Sequence, residues 1–209
     1  SLYPRIIGLS ASPGSDLKKI TEVCQNLFIE DIEVRSDDDP DLKPYVQETV
    51  VDYLLIDLPP SFKEAKDYLQ ICYKKKLKLL KELGATESIM QASKTQLLGM
   101  QKNMQQRLAH GEKDQEIWQS LSLIAEAMKV QFCLELFETQ GVSAAYEYMQ
   151  RLYQEAEITK VKATKNLVID PDFKSAYYKI TQLFENKVEH PKFNRLLSLV
   201  EEESKTCKK

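Results

Sequence analysis

The feature that most constrains the fold is the change of pattern at Pro59-Pro60. Before it, short apolar stretches alternate with polar breaks. After it, apolar residues recur every three or four positions almost to the end of the chain. That spacing puts apolar side chains on one side of an α-helix. The sequence therefore predicts a mainly α protein, in which an α/β segment of about 60 residues precedes an all-helical domain.

The helices are predicted from this spacing together with residues that start or stop helices. Ser61-Phe-Lys-Glu64 matches a capping box, and Asp170 precedes a proline at the first helical position, where its missing amide costs nothing. Gly84 and Gly141 are typical of helix ends. The predicted helices cover 16–27, 61–83, 93–108, 114–138, 142–157, 171 to about 184, and 192–203.

Three strands are predicted in the first 60 residues. Residues 6–9 are apolar, residues 29–34 alternate apolar and acidic side chains, and residues 48–58 are rich in β-branched and aromatic residues. The first of these strands ends in Ser10-Ala11-Ser12-Pro13-Gly14, a turn at the strand end that faces the ligand crevice in α/β domains.

Charge is segregated along a chain whose net charge is −3. Residues 1–60 hold 5 basic against 12 acidic side chains, whereas residues 61–110 hold 10 against 4, a net charge of +6. The four cysteines are scattered and neither histidine lies near them, so reduced thiols are expected, with no zinc site. No apolar run is long enough to span a membrane, and a cytoplasmic protein is expected.

The basic block contains a row of lysines on one side of the predicted helix 61–83. Phosphates are the natural partners of such a row, because each neutralised phosphate releases condensed counterion, whereas most lysine-rich helix faces are merely solvated. Trp118 is expected in a helix contact, with stacking on an unpaired base as the alternative. The candidate DNA-binding residues are Lys63, Lys66, Lys74, Lys78 and Lys81 in the row, and Lys94, Lys102 and Arg107 on the next helix.

The stretch Gly8-Leu-Ser-Ala-Ser-Pro-Gly14 resembles motif III of superfamily 2 helicases, in the branch of Dicer, innate RNA sensors and Hef. Further stretches resemble the Hef-type family of fork-processing DNA helicases, whose relatives include the Fanconi-anaemia M-type translocases. They are "DLPPSFKE", "KELGATES", "LELFETQG", "DPDF" and "HPKF".

This resemblance implies a division of the chain into four parts. Residues 1–46 would end the first RecA-like motor domain, 47–60 would connect, 61–188 would form a thumb-like helical insert that binds branched DNA, and 189–209 would approach the second motor domain. Ser10, Ala11 and Ser12 would then link nucleotide state to the nucleic-acid track. In the parent helicase, ATP and Mg²⁺ would drive movement on forked DNA.

The chain lacks the elements that such catalysis needs. It has no Gly-x-x-x-x-Gly-Lys-Ser/Thr phosphate loop, no Asp-Glu-x-His box and no arginine-rich motif VI, so no catalytic or metal-binding residues are predicted. The expected partners are forked DNA, the rest of the motor and a sliding clamp, with no membrane. Two alternatives remain: a helical module that docks a clamp or nuclease, and an RNA-binding insert.

Overall fold

The computed structural model describes residues 7–10, 14, 16–35, 39–45, 47, 50–85, 92–112 and 114–206. The chain divides into two compact units, residues 1–54 and residues 55–209. The predicted strand at residues 6–9 falls partly outside the described residues, and residues 7–10 are irregular and exposed.

The first unit contains one short helix, α1, at Leu17–Asn26. The sequence predicts Ser15 or Asp16 as its cap, and Asp16 accepts a hydrogen bond from the Lys18 amide at 3.0 Å. No residue of α1 is buried, and Leu17 is 78% exposed. The apolar side of α1 therefore lies open within its own unit.

The second unit is a bundle built around two long helices. α2 spans Pro60–Glu82 and packs against α4 (Gln115–Thr139) and α7 (Pro171–Glu185). α4 also packs against α3, α5 and α6, and α5 packs against α6 and α7. The remaining helices of this unit are α3 at Lys94–Ala109, α5 at Val142–Ile158, α6 at Lys162–Ile169 and α8 at Pro191–Thr206.

The core of the bundle lies where α2, α4 and α7 meet. Phe62 on α2 stacks on Phe137 on α4 with ring centroids 5.3 Å apart, and Ile180 on α7 is fully buried. The spacing predicts an apolar side of α2 at Phe62, Ala65, Leu69, Cys72, Tyr73, Leu80 and Leu83. All of these residues except Leu83 are buried. This agreement follows from helix geometry, because positions three and four apart share one side.

The predicted ends of the helices agree with the structure at some positions and differ from it at others. α2 ends in a Schellman motif, with Gly84 at φ +67 donating to Lys81 O at 2.8 Å and Ala85 donating to Leu80 O at 2.9 Å. The capping box predicted at Ser61 is wrong, because α2 already starts at Pro60 and its N-cap, Pro59, has no side-chain donor or acceptor. The capping box of this structure is at Ser93 and Gln96.

The strands predicted in the first 60 residues do not form within the described part of the chain. Residues 29–35 and 50–59 are irregular, and Tyr53 and Leu55 are almost fully exposed. A strand needs a neighbour to satisfy its amides and carbonyls, and no described segment pairs with these two. Most of their apolar residues are exposed, whereas Leu58 packs against the core of the bundle.

α8 is the one helix of the bundle that packs against no other described helix. Its apolar side was predicted to point inward, yet Phe193 is 47% exposed and Leu196 is 55% exposed. The helix is attached at its start, where the Lys192 ammonium donates to Glu138 O at 2.9 Å. Its apolar face is left without a covering partner in the described residues.

Candidate nucleic-acid interface

The lysine row lies along the exposed side of α2, where Lys66 borders α4 and Lys74 borders the start of α3. Lys63, Lys74, Lys78 and Lys81 are exposed, and none forms an ion pair with a described residue. A helix of 23 residues is about 34 Å long at about 1.5 Å per residue. That length matches one turn of duplex DNA, and the row from Lys63 to Lys81 covers about 27 Å of it, so the row can follow most of a turn of phosphate backbone.

Lys66 differs from the rest of the row. Its ammonium lies 2.6 Å from Glu138 Oε1, and its side chain is only 29% exposed. A phosphate would have to displace this carboxylate, so we expect Lys66 to contribute less than its neighbours.

The start of α3 lies beside the middle of the row. The Tyr73 hydroxyl donates to Ala92 O at 2.5 Å, which holds the residue before the α3 cap against α2. A cleft of about 560 Å³ opens there, lined by Lys74, Ser93 and Gln96 among others. Glu135 and Glu138 lie on its α4 wall, so the cleft itself is of mixed charge.

The three candidates on α3 are not equivalent. Lys94 is the first residue of α3 and is exposed beside this cleft, and Lys102 is exposed two turns further along the helix. Arg107 is bound to Glu112, with its Nη2 and Nε atoms both 2.8 Å from Glu112 Oε2. The structure therefore brings Lys94 close to the α2 row, while Arg107 is already neutralised.

Ser10 of the motif III stretch is described and exposed, whereas Ala11 and Ser12 lie outside the described residues. The motif III stretch belongs to the first unit, and the lysine row belongs to the second.

Behind the lysine row lies a buried ionic network that sequence reasoning missed. The sequence suggests that Lys76 lies towards the apolar side with its stem along the surface, but its side chain is buried. Its ammonium is 2.8 Å from Glu126 Oε2 and 2.9 Å from Asp170 Oδ2. Neither acid was singled out as a partner, although Glu126 lies on the buried side of α4.

Further hydrogen bonds complete the network. Glu126 Oε1 accepts from Ser122 Oγ at 3.2 Å and from Asn166 Nδ2 at 3.4 Å. Asp170 Oδ1 accepts from the Asp172 amide at 3.0 Å, which is the predicted helix cap of α7. The network thus joins α2, α4, α6 and the start of α7 through a single ammonium.

The pKa values in the network follow from these contacts. Burial alone would raise the pKa of Asp170, but the hydrogen bond and charge of Lys76, together with the charge of Lys75, hold it below its usual 3.8. Burial alone would lower the pKa of Lys76, and its bonds to Glu126 and Asp170 outweigh that effect and raise it above 10.5.

These two shifts predict a pH window for stability. A carboxyl with a lowered pKa stabilises the fold above its unfolded pKa, and the gain disappears as pH falls. The difference in unfolding free energy between wild type and Asp170→Asn should therefore be constant near neutral pH and shrink below about pH 3.8. Urea denaturation over an acid series measures it, and a difference that grows as pH falls would contradict the assignment.

The cysteines carry no sign of reactivity. Cys24, Cys72 and Cys133 are free thiols, and Cys207 lies outside the described residues. Burial, with a smaller contribution from the charge of Asp170, raises the pKa of Cys72 to about 12, and burial raises that of Cys133 to about 12. Both remain protonated thiols at neutral pH and behave as small apolar side chains.

Trp118 is not buried in a helix contact. It lies in the first turn of α4 and is 59% exposed.

Among the described residues, no group of three or more histidine, cysteine or acidic side chains could hold a metal ion. The same part of the chain contains no helix long and apolar enough to cross a membrane.

Most of this chain is similar in sequence to known proteins. Residues 61–188 match the family described as "ATP-dependent RNA helicase, helical bundle". MJ1505 of Methanocaldococcus jannaschii, named a candidate ATP-dependent RNA helicase, is 35% identical over 196 residues, which are 93% of this chain and 24% of that protein. The DEAD-box ATP-dependent DNA helicase Fancm of Drosophila melanogaster is 27% identical over 141 residues, 67% of this chain and 10% of that protein.

A solved structure is similar as well. The crystal structure of the Pyrococcus furiosus Hef helicase domain matches with a TM-score of 0.70 and 36% sequence identity. The match covers 95% of this chain and 41% of that chain. This chain thus spans less than half the length of each of these relatives.

Proposed function

The chain belongs to the ATP-dependent RNA helicase helical-bundle family, in its Hef and Fanconi-anaemia M branch, and on that premise we propose that its bundle binds forked or branched DNA. The observation that carries the proposal is a set of four exposed lysines in the α2 row that form no ion pair within the described residues: Lys63, Lys74, Lys78 and Lys81. Lysine contacts phosphate without reading base identity, so recognition depends on the shape of the DNA and not on its sequence.

The charge distribution supports this proposal over a general basic surface. The protein is acidic overall, and its largest basic excess lies in residues 61–110, with a smaller one in residues 159–166. Long-range attraction of DNA is therefore directed to α2 and the start of α3. Lys63, Lys74, Lys78 and Lys81 would make the contacts, joined by Lys94, while Lys66 and Arg107 would first have to leave their carboxylates.

In the parent protein, ATP hydrolysis would drive movement along DNA, and the bundle would hold the duplex at the fork. The residues of this chain do not fit an ATP or Mg²⁺ site, because the phosphate loop that cradles phosphates is absent from the sequence. The proposed holders of ATP and Mg²⁺ are therefore parts of the motor beyond this chain. An archaeal source and a cytoplasmic setting belong to the same proposal, supported by the similarity to archaeal proteins.

We further propose that the open apolar faces pack against the rest of the motor. In this division, 1–46 ends the first motor domain, 47–60 connects, 61–188 is the insert and 189–209 approaches the second motor domain. The exposed apolar sides of α1 and α8 support it, since such faces usually mark interfaces. A sliding clamp remains a proposed partner without a contact surface assigned to it.

Two other functions compete with fork binding. The matched family is named for RNA helicases, which favours an RNA duplex as the second candidate. The open apolar faces are equally compatible with a module that docks a nuclease or clamp and binds no nucleic acid.

Binding assays separate the three. Fluorescence anisotropy of the 209-residue chain with a fork, a linear duplex of equal length and an RNA duplex should give the tightest binding to the fork. Tighter binding to the RNA duplex would favour the RNA alternative. Absence of binding to all three at low salt would contradict the proposal and favour protein docking.

A further inference from the structure

Trp118 is the one tryptophan of the chain, and its indole stands largely in solvent at the start of α4. Large aromatic side chains are usually buried or in contact with a partner. Here the ring borders an open cleft of about 400 Å³ between the end of α2, the start of α4 and the start of α6. That volume is within the range of small-ligand sites.

The cleft combines an apolar wall with a few groups that can form hydrogen bonds. Leu79, Leu83 and Leu123 line it beside Trp118, and the amides of Gln115 and Asn166 also face it. Side-chain amides can both donate and accept, which is what the edge of a nucleobase requires. A flat ring could therefore stack on the indole while a side-chain amide forms a hydrogen bond with the edge of that ring.

The buried ionic network forms part of the floor of this cleft. The Glu126 carboxylate lines it, but its charge is balanced by Lys76 at 2.8 Å and its other oxygen accepts from Ser122 and Asn166. A neutral ligand in this cleft would therefore lie against a carboxylate whose charge is already balanced and whose position is fixed by hydrogen bonds. The side chain of Asn166 is tethered to Glu126 and so is held in place beside the cleft.

The cleft also has a basic group. Lys162, the first residue of α6, lines it, and the end of α2, the helix that carries the lysine row, supplies Leu79 and its C-cap Leu83 to the wall. Glu82 also lines the cleft, so the charge is mixed there and favours a neutral base with its phosphates held at the rim. An acidic peptide would instead bring its charge into the cleft.

We propose that this cleft receives one unpaired nucleobase from the single-stranded arm of forked DNA, stacked on Trp118. This inference rests on the proposed function and adds to it a site for the unpaired strand, at the end of the helix whose lysine row is proposed to contact the duplex backbone. Stacking tolerates any base, because each has a π face, so the site distinguishes strandedness without reading sequence.

The position of Trp118 gives this proposal a direct readout. Because the chain holds no other tryptophan, its intrinsic tryptophan fluorescence reports on this cleft alone. Titration with oligothymidylate should quench the emission to saturation, while a blunt hairpin duplex should bind and leave the emission nearly unchanged. Equal quenching by both, or binding of oligothymidylate without quenching, would overturn the proposal.

Affinity measurements on a matched pair of variants complete the test. Trp118→Ala should weaken binding to a fork with a single-stranded arm by about 5- to 100-fold and leave blunt-duplex binding unchanged. Tyr178→Ala, which removes another exposed ring, on α7, should change neither. Both sites are helical and exposed, so the fold should survive, which circular dichroism checks.

The outcomes separate this inference from the proposed function. If Trp118→Ala binds forks as well as wild type does, the base site is refuted and fork binding stands. If the wild-type chain binds no DNA at all, the proposed function fails and the base site fails with it.

Discussion

Replacing Lys76 with methionine should destabilise the bundle by about 3–5 kcal/mol, a large part of the stability of a domain this size. The methionine fills a similar volume, but it leaves the buried Glu126 carboxylate without a cation and leaves Asp170 with only the more exposed Lys75, whose ammonium is 3.5 Å away. Removing one partner of a buried ion pair costs far more than the pair itself contributes, because the remaining charges cannot reach water. Urea denaturation followed by circular dichroism measures the change.

The neighbouring lysine provides a matched control. Lys75 lies 3.3 Å from Asp172, but its side chain is 46% exposed. Exposed ion pairs contribute little, so Lys75→Met should cost less than about 1 kcal/mol. If both variants lose the same stability, Lys76 is not the centre of the network. A Lys76→Met variant as stable as wild type would mean that the two carboxylates are protonated or reach solvent.

Reversing the charge of Lys74, Lys78 and Lys81 together should weaken fork binding by at least about 100-fold, because three attractions to phosphate are lost and three repulsions replace them. Each lysine–phosphate contact at about 4 Å is worth about 1 kcal/mol in water, and the three positions share the exposed side of α2. Glutamate forms helix as well as lysine does, so the bundle should keep its thermal stability. Fluorescence anisotropy with labelled fork DNA at low salt measures the loss.

Three exposed lysines on other helices give the control for this variant. Lys18, Lys174 and Lys205 lie on α1, α7 and α8, and their reversal changes the net charge equally. This control should reduce affinity only slightly. If both triple variants lose affinity equally, binding is diffuse electrostatic attraction and the α2 row is not a site.

Helix positions and the core of α2 could be predicted from the sequence, because helix periodicity is a local property. α6 was missed because its eight residues include only four buried positions, which make too short a pattern to recognise. The strands were wrong for a different reason. Strand propensity was present at residues 48–58, but pairing depends on a neighbour that sequence pattern cannot supply.

The site could be predicted only in part. The row on α2 follows from helix geometry alone, whereas the ion pairs of Lys66 and Arg107 depend on where Glu138 and Glu112 come to lie. The burial of Lys76 could have been suspected from its position on the apolar side of α2. Its partners Glu126 and Asp170 lie 50 and more residues away, and tertiary packing alone brings them together.

The central claim is that lysines of the α2 row contact backbone phosphates, and the salt dependence of fork binding tests it most directly. The logarithm of the binding constant falls linearly with the logarithm of salt concentration, by about 0.9 for each phosphate neutralised. The account predicts that the slope for the Lys74, Lys78 and Lys81 reversal is shallower than that of wild type by about 2.7. Two parallel lines, whatever their affinities, would mean that these lysines release no counterions and that the DNA is bound elsewhere.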